Sequence, residues 1–193
     1  MSVLSRAIQL AFIAFGLCLC FSNLVSAQPI SAPSLGVSVK TTNGVCRASK
    51  PCEIEVTVRN NNSKKPVTVL AWNNPLDSLA EQLGVFEVRD STGNVVPLDY
   101  IMVRRITPPP PSELVEIKPS GSIKVKVALQ TLSNAELPAG SKYSVTATGW
   151  WQANWDENKE KVIATHLQEL SGAYSGAFNS NTVQVTKVNR TYS

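Results

Sequence analysis

The stretch from Glu53 to Arg59 most narrowly restricts the fold, because apolar and polar residues alternate through it without a break. Ile54, Val56 and Val58 are apolar, and the residues between them are charged or hydroxylated. Side chains of a strand point alternately to its two faces, so this pattern places one face against a core and the other in water. Half-buried strands of this kind are typical of antiparallel sheets.

The same alternation recurs along the chain and predicts an all-β fold. Further strands are predicted at Leu35–Lys40, Pro66–Trp72, Gly84–Arg89, Val95–Leu98, Tyr100–Arg105, Glu113–Lys118, Ser122–Leu129, Ser141–Trp151 and Thr182–Val188. Clusters of Asn, Ser, Gly and Pro separate them, as turns require. Short strands with turns about every 8–12 residues predict an antiparallel immunoglobulin-like β-sandwich of about eight or nine strands.

Two segments interrupt the strand pattern. Ile163, Leu167 and Leu170 have helical spacing and predict a short amphipathic helix within residues 152–170. The four prolines at 108–111 predict polyproline II, which we interpret as a stiff connector, with a docking segment for a partner as the alternative. Gly172–Phe178 is rich in small residues and is predicted to be flexible.

The N-terminus predicts secretion. Arg6, an apolar run from Ala7 to Phe21 and the small residues at 25–27 form the pattern of a cleaved signal peptide over residues 1–27. A signal anchor is the alternative. Residues 28–193 then form a single domain, and without Arg6 its 17 basic residues face 14 acidic ones. This small excess is not clustered, so it favours neither nucleic acid nor a membrane as a partner.

The cysteines indicate one disulfide in this domain. Cys18 and Cys20 leave with the signal peptide, and Cys46 and Cys52 are expected to pair in an oxidising compartment. A redox or metal role is the alternative, although two isolated cysteines do not make a metal site. Sequons at Asn61 and Asn189 are candidate glycosylation sites.

The motifs of common catalytic sites are missing from the sequence. His166 is the one histidine, so there is no H-E-x-x-H zinc motif, and neither a G-x-S-x-G elbow nor a glycine-rich phosphate loop occurs. We therefore expect a surface histidine, no catalytic residue, no metal and no cofactor. Trp150, Trp151 and Trp155 are candidates for a sugar-stacking platform, but core packing with a single half-exposed ring is the favoured interpretation.

The stretch Leu70–Asp77 ends a strand abruptly, because Pro75 cannot donate to a sheet and keeps Asn74 out of the helical region. Together with other runs in order, it resembles the N-terminal propeptide domain of the deuterolysin / peptidyl-Lys metalloendopeptidase family. The matching runs are Val67–Asp77, Val85–Val88, Asn94–Pro97, Val103–Pro108, Leu114–Ser122 and Ala139–Val145, within roughly residues 35–150. The sequence carries no protease domain, so the family's catalytic residues have no positions here.

The resemblance implies a propeptide-like sandwich that inhibits a secreted metalloendopeptidase, or assists its folding, in trans. The candidate binding face is built from two loops, with Trp72, Asn74, Pro75, Asp77, Arg104 and Arg105 as its residues. The alternative interpretation of these charges is solvated strand ends. An alternative function is a secreted module that binds a host surface, a cell wall or a glycan through the same sandwich, since fold alone does not determine function.

Overall fold

A computed structural model describes residues 35–188 of the chain. Its strands are β1 (Leu35–Asn43), β2 (Val45–Cys46), β3 (Glu53–Asn60), β4 (Val67–Leu70), β5 (Phe86–Arg89), β6 (Leu114–Ile117), β7 (Ser122–Ala128), β8 (Lys142–Trp155) and β9 (Tyr174–Lys187). Its helices are α1 (Gln130–Asn134) and α2 (Lys159–Thr165), and Pro111–Glu113 forms a 3-10 turn. The predicted signal peptide at 1–27 and the sequon at Asn189 lie outside the described residues.

The strands form two sheets, which confirms the predicted all-β sandwich. One sheet has the order β1-β3-β7, and the other has the order β2-β9-β8-β4-β6. The long strand β8 pairs with β9 along one edge and with β5 and then β4 along the other. All these ladders are antiparallel except β2 with β9, which is parallel.

The core lies between the sheets, where the alternation in β3 predicts it. Ile54, Val56 and Val58 are fully buried, and Tyr143, Val145 and Ala147 of β8 belong to the same buried cluster. A second cluster lies at the other end of β4 and β8 and consists of Leu70, Trp72, Leu114, Ala153, Trp155, Val162 and Leu167. The stretch around Trp72 therefore covers one end of the sandwich, as its position at a strand's exit predicts.

The disulfide prediction is confirmed, since Cys46 and Cys52 are bonded and fully buried. The link closes a tight loop in which Arg47 and Lys50 exchange backbone hydrogen bonds. Closing so short a loop stabilises the fold by about 2 kcal/mol through the entropy of the unfolded chain.

The helix α2 is present, but its buried face differs from the predicted one. Val162 is fully buried, whereas Ile163 is 38% exposed. Asn158 caps the helix by accepting from the Lys161 N–H, and the helix ends at Thr165. Leu170 lies beyond it with a φ of 51°, so the helical spacing that links residues 163, 167 and 170 does not run through one helix.

Two predicted strands are wrong, and several others, β9 above all, are longer than predicted. Tyr100–Arg105 forms no strand, and Val95–Leu98 contributes a single bridge between Val95 and Arg89. β9 begins at Tyr174, inside the stretch predicted to be flexible, because it pairs with β8 across two irregularities in register. Such bulges insert residues that break the period-two pattern from which strands are predicted.

Candidate functional site

The buried side-chain amide of Asn74 stabilises the turn that follows β4. The Asn74 side chain donates to the carbonyls of Leu70 at 2.7 Å and Trp72 at 3.2 Å, and its oxygen accepts from the Leu76 N–H at 3.0 Å. Asn74 is fully buried, so these bonds replace the water that the same groups would bind in the unfolded chain. The turn thus depends on the Asn74 side chain, which hydrogen-bonds to backbone groups both before and after it in the chain.

Asp77 ties this turn to a distant loop. Its carboxylate accepts from the Asn73 N–H at 2.8 Å, the Leu79 N–H at 2.9 Å and the Arg105 guanidinium at 2.5 Å. Only 1% of the Asp77 side chain is exposed. Asn73 has a φ of 53°, a conformation that asparagine tolerates better than most residues. The carboxylate therefore holds a strained turn and a loop residue together.

Arg105 completes a compact cluster of predicted site residues. Its guanidinium lies 5.7 Å from the centre of the Trp72 ring and is 21% exposed. A cation over an aromatic face is attracted by the ring's quadrupole, most strongly where water is excluded. The ion pair with Asp77 and the contact with Trp72 together fix the position of the chain at Arg105.

The burial of this cluster corrects the predicted binding face. Trp72, Asn74, Pro75 and Asp77 are all buried, and the bonds of Asn74 and Asp77 lie within the chain. Side chains in this state support a surface and do not form one. Of the six predicted residues, Arg104 is exposed and Arg105 is half-buried.

The loop that Arg105 holds is also anchored at its other end. The Ile101 N–H donates to the Gln82 carbonyl at 2.9 Å. The Tyr100 ring packs against Gly84, where a β-carbon would lie 3.1 Å from the ring, and Gly84 has a φ of 75°. Partial burial raises the pKa of the Tyr100 hydroxyl, and the negative charges of Glu81 and Glu87 add to that rise. The loop is thus pinned on both sides of its tip.

The loop that these anchors hold exposes several apolar side chains. Met102 is 99% exposed and Ile106 is 78% exposed, with Tyr100 and Ile101 each nearly half exposed. We call Tyr100–Ile106 the apolar loop. The strand predicted over Tyr100–Arg105 lies within this loop. Pro97 and Pro108 flank the loop, and because proline cannot donate to a ladder, they limit how far a strand could extend on either side.

His166 joins a serine and a carboxylate near the end of α2. Its Nδ1 lies 3.2 Å from the Ser171 hydroxyl, and its Nε2 lies 3.0 Å from the Glu157 carboxylate. The Ser171 N–H also donates to the His166 carbonyl, and the Ser171 carbonyl accepts from the Trp155 indole at 2.9 Å. These bonds fold residues 166–171 back onto the buried Trp155, so the arrangement fits a structural clip.

Glu157 anchors this clip through its charge. Its carboxylate pairs with Lys161 at 2.9 Å as well as with His166. The hydrogen bond from Lys161 holds the pKa of Glu157 below its usual value of 4.5, partial burial opposes this, and the bond from His166 adds to the lowering. Because the folded-state pKa is the lower one, the resulting stability is fully present above the unfolded pKa and is lost as the pH falls through the folded pKa.

Replacing Glu157 by glutamine should lower the free energy of unfolding by about 0.5–1 kcal/mol at neutral pH, the range of partly exposed ion pairs. The difference from the wild type should shrink towards zero as the pH falls from 6 to 3. Urea unfolding curves at several pH values measure it. Glu169→Gln is the matched control, because Glu169 is exposed and has no ion pair among residues 35–188. A difference that stays constant with pH contradicts the assignment.

The three tryptophans near the end of β8 divide between core and surface. Trp155 is buried in the second cluster, and Trp151 packs on Phe178 with ring centres 4.7 Å apart. Trp150 is 54% exposed, so the expectation of two core rings and one half-exposed ring is confirmed. Asn61 of the first sequon is exposed in the turn after β3, and its glycosylation stays a prediction.

A relative of the chain supports its secretion. A protein of Arthroderma benhamiae, named an uncharacterized secreted protein, is 77% identical over 188 residues, which are 97% of this chain and 96% of that relative. The prediction of secretion is confirmed by this relative. Within residues 35–188 no helix has the length and apolar character that a membrane crossing needs.

Two solved structures resemble the chain remotely. A structural genomics target, SoR45, aligns with a TM-score of 0.36 at 10% identity over 81% of this chain and 89% of that one. The periplasmic chaperone SfaE aligns with a TM-score of 0.30 at 10% identity over 82% of this chain and 58% of that one. Similarity at this level carries no argument about function.

A family profile describes most of the chain. The profile of the immunoglobulin-like domain matches residues 35–187, which span both sheets and the two buried clusters. None of the relatives above is named as a protease propeptide, so that resemblance stays a prediction. The two-sheet sandwich of the structure agrees with the family profile, and the chain belongs to the immunoglobulin-like domain family.

Proposed function

We propose that this secreted protein is a non-catalytic binding protein whose contact surface is the apolar loop. The observation that carries the proposal is the exposure of Met102 and Ile106 on a loop that is fixed at two points. The Ile101 N–H donates to Gln82, and Arg105, next to Ile106, pairs with Asp77. Apolar side chains held out into water favour burial against another molecule. The anchors reduce the ordering entropy that binding costs.

The side chains of the loop suit a protein partner with an apolar cleft. Met102 is flexible and polarizable, so it adapts to an irregular cavity. Arg104, exposed beside it, is able to pair with a carboxylate at the rim of such a cleft. An apolar anchor surrounded by a charged rim is the usual anatomy of a specific interface.

The proposed partner is a secreted metalloendopeptidase that the chain inhibits or helps to fold in trans. This part rests on the resemblance to the deuterolysin-type propeptide, in which the run Val103–Pro108 belongs to the matching segments. The apolar loop overlaps that run. An extended, anchored loop is also a suitable shape for entering the substrate cleft of a protease.

Replacing Met102 and Ile106 by serine should weaken binding to a purified deuterolysin-type protease at least tenfold, as loss of interface anchors does. Gel filtration detects the complex, and hydrolysis of a reporter peptide detects inhibition. Thermal stability should stay unchanged, because both side chains are in water. Val95→Ser is the matched control, since Val95 is an exposed apolar residue outside the loop. If the wild type forms no complex, the proposed protease partner is wrong. If the double variant binds as tightly as the wild type, the apolar loop is not the contact surface.

A second candidate function is glycan binding at Trp150. The flat, half-exposed ring of Trp150 lies on β8, beside Ala177 of β9, and flat aromatic rings suit pyranose faces. Binding to cell-wall glycans that is lost in Trp150→Ala, but retained in the apolar-loop variant, favours this candidate over the first.

A further inference from the structure

Strand β7 leaves one backbone edge without a partner strand. It pairs with β3 on one side only. The Gly121 carbonyl accepts from Asn60, and the Leu129 N–H donates to Cys52, so odd-numbered residues direct their backbone groups towards β3. Backbone groups alternate sides along an antiparallel strand. The N–H and C=O of Lys124, Lys126 and Ala128 therefore point to the free edge.

At two other sheet edges, a side chain binds the outward backbone groups of one residue. At the outer edge of β1, the Asn181 amide donates to the Val39 carbonyl and accepts from the Val39 N–H, both at 2.9 Å. At the outer edge of β6, the Lys159 ammonium donates to the Leu114 carbonyl at 2.8 Å. Across residues 35–188, no hydrogen bond of this kind reaches the outward backbone groups of Lys124 or Lys126.

A groove runs along the free edge of β7. It has a volume of about 340 Å³ and lies between residues 125–128 of β7 and the segment 75–82. Leu76, Leu79 and Ala80 contribute apolar side chains to its wall. The same segment carries Asp77 and Gln82, the two anchors of the apolar loop. Groove and loop are therefore held by one segment of chain and form neighbouring parts of one surface.

The charges on β7 distinguish between two possible occupants of the edge. Lys124 and Lys126 are both exposed, and Lys124 lies 3.3 Å from Glu55. If β7 of a second copy paired here, every antiparallel register centred on residues 124–126 would set a lysine opposite a lysine. Like charges directly opposite each other destabilise a sheet, and edge lysines discourage self-association. The occupant favoured by charge is an acidic segment of another protein.

We propose that the free edge of β7 binds an extended partner segment in which acidic and apolar residues alternate, which adds to the sheet as a further strand. Its acidic residues face Lys124 and Lys126, and its apolar residues enter the groove beside Leu76 and Leu79. Backbone hydrogen bonds supply the affinity, and alternate side chains supply the selectivity, as in other cases of strand addition. The inference rests on the proposed binding function and names the chemistry of its partner.

A labelled seven-residue peptide of alternating valine and glutamate, capped at both ends, tests the proposal by fluorescence anisotropy with the secreted chain. Lys126→Pro removes an outward N–H while leaving the ladder with β3 intact, and it should weaken binding at least fivefold, about the loss of one or two hydrogen bonds. Lys126→Gln should weaken binding about threefold at low salt and not at high salt. Lys118→Gln, on an exposed lysine outside β7, should have no effect, and a valine–lysine peptide should not bind.

No saturable binding of the valine–glutamate peptide up to ~1 mM overturns the proposal. Equal binding by the wild type and both Lys126 variants overturns it as well. Circular dichroism checks that Lys126→Pro is folded, and if it is not, the comparison of Lys126→Gln with Lys118→Gln decides. If the peptide does not bind β7 but the Met102 and Ile106 double variant still loses binding to the protease, this inference fails and the proposed function stands. The two failures are therefore distinguishable.

Discussion

Replacing Asp77 by alanine should lower the free energy of unfolding by about 3 kcal/mol, because three interactions of a buried carboxylate are lost together. The backbone N–H groups of Asn73 and Leu79 lose their acceptor, and the Arg105 guanidinium loses its counter-charge. Arg105 is 21% exposed and sits in a surface loop, so its charge is able to turn towards water. That relief keeps the loss below the cost of a fully trapped charge.

Urea or thermal unfolding measures the effect, and Asp99→Ala is the matched control. Asp99 is an exposed aspartate immediately before the apolar loop, and no hydrogen bond engages its side chain within the described part of the chain. We also expect faster amide hydrogen exchange across the apolar loop in Asp77→Ala, because one of its anchors is gone. A change in stability below about 0.5 kcal/mol, the size of an ordinary surface substitution, contradicts the role given to Asp77.

The central strands were predictable because their environment is set by a single rule. In β3 one face meets the core and the other meets water, so the sequence alternates as the structure does from Glu53 to Arg59. The hairpin of β8 and β9 follows the same rule only in part. Its register shifts between Thr146 and Thr148 and between Trp151 and Asn154, and each shift resets the phase that a sequence pattern needs.

The turn after β4 was predictable from the sequence, but the burial of its side chains was not. Asn74 and Pro75 mark a turn by local chemistry, and local chemistry is visible in a sequence. The burial of Asp77 depends on Arg105, which is 28 residues away, and no spacing rule links the two positions. A sequence does not show that ion pair, so it predicts a surface charge for an aspartate in a turn and a strand for the apolar loop.

The helix α2 shows the same limit on a smaller scale. Ile163 was assigned to the buried face by its spacing from Leu167, yet Val162 occupies that face. The orientation of so short a helix is fixed by its ends. Asn158 caps the first turn, and the Lys159 N–H donates to Glu116 on the neighbouring strand β6, so contacts outside the helix choose which side is buried.

Replacing Asn74 by aspartate should destabilise the fold further than any change at the surface, by about 4 kcal/mol at neutral pH. The variant loses the two hydrogen bonds that the Asn74 amide donates to the carbonyls of Leu70 and Trp72. A carboxylate then lies against the same two carbonyl oxygens. All these atoms carry negative charge or partial charge, and the site is closed to water. The volume of the side chain hardly changes, so the effect isolates the polarity of a single group.

Asn73→Asp is the matched control, because Asn73 is adjacent, half-buried and has no side-chain hydrogen bond within the described residues. Its backbone conformation is also tolerated by aspartate. The introduced carboxyl at position 74 is buried against carbonyls, so its folded-state pKa is raised above the unfolded value. Its penalty should therefore shrink as the pH falls and the carboxyl gains a proton to donate. Urea unfolding of both variants at pH 7 and pH 4 tests this. Equal losses at the two positions, or a loss at position 74 that is unchanged by pH, would show that the turn after β4 does not depend on the Asn74 amide.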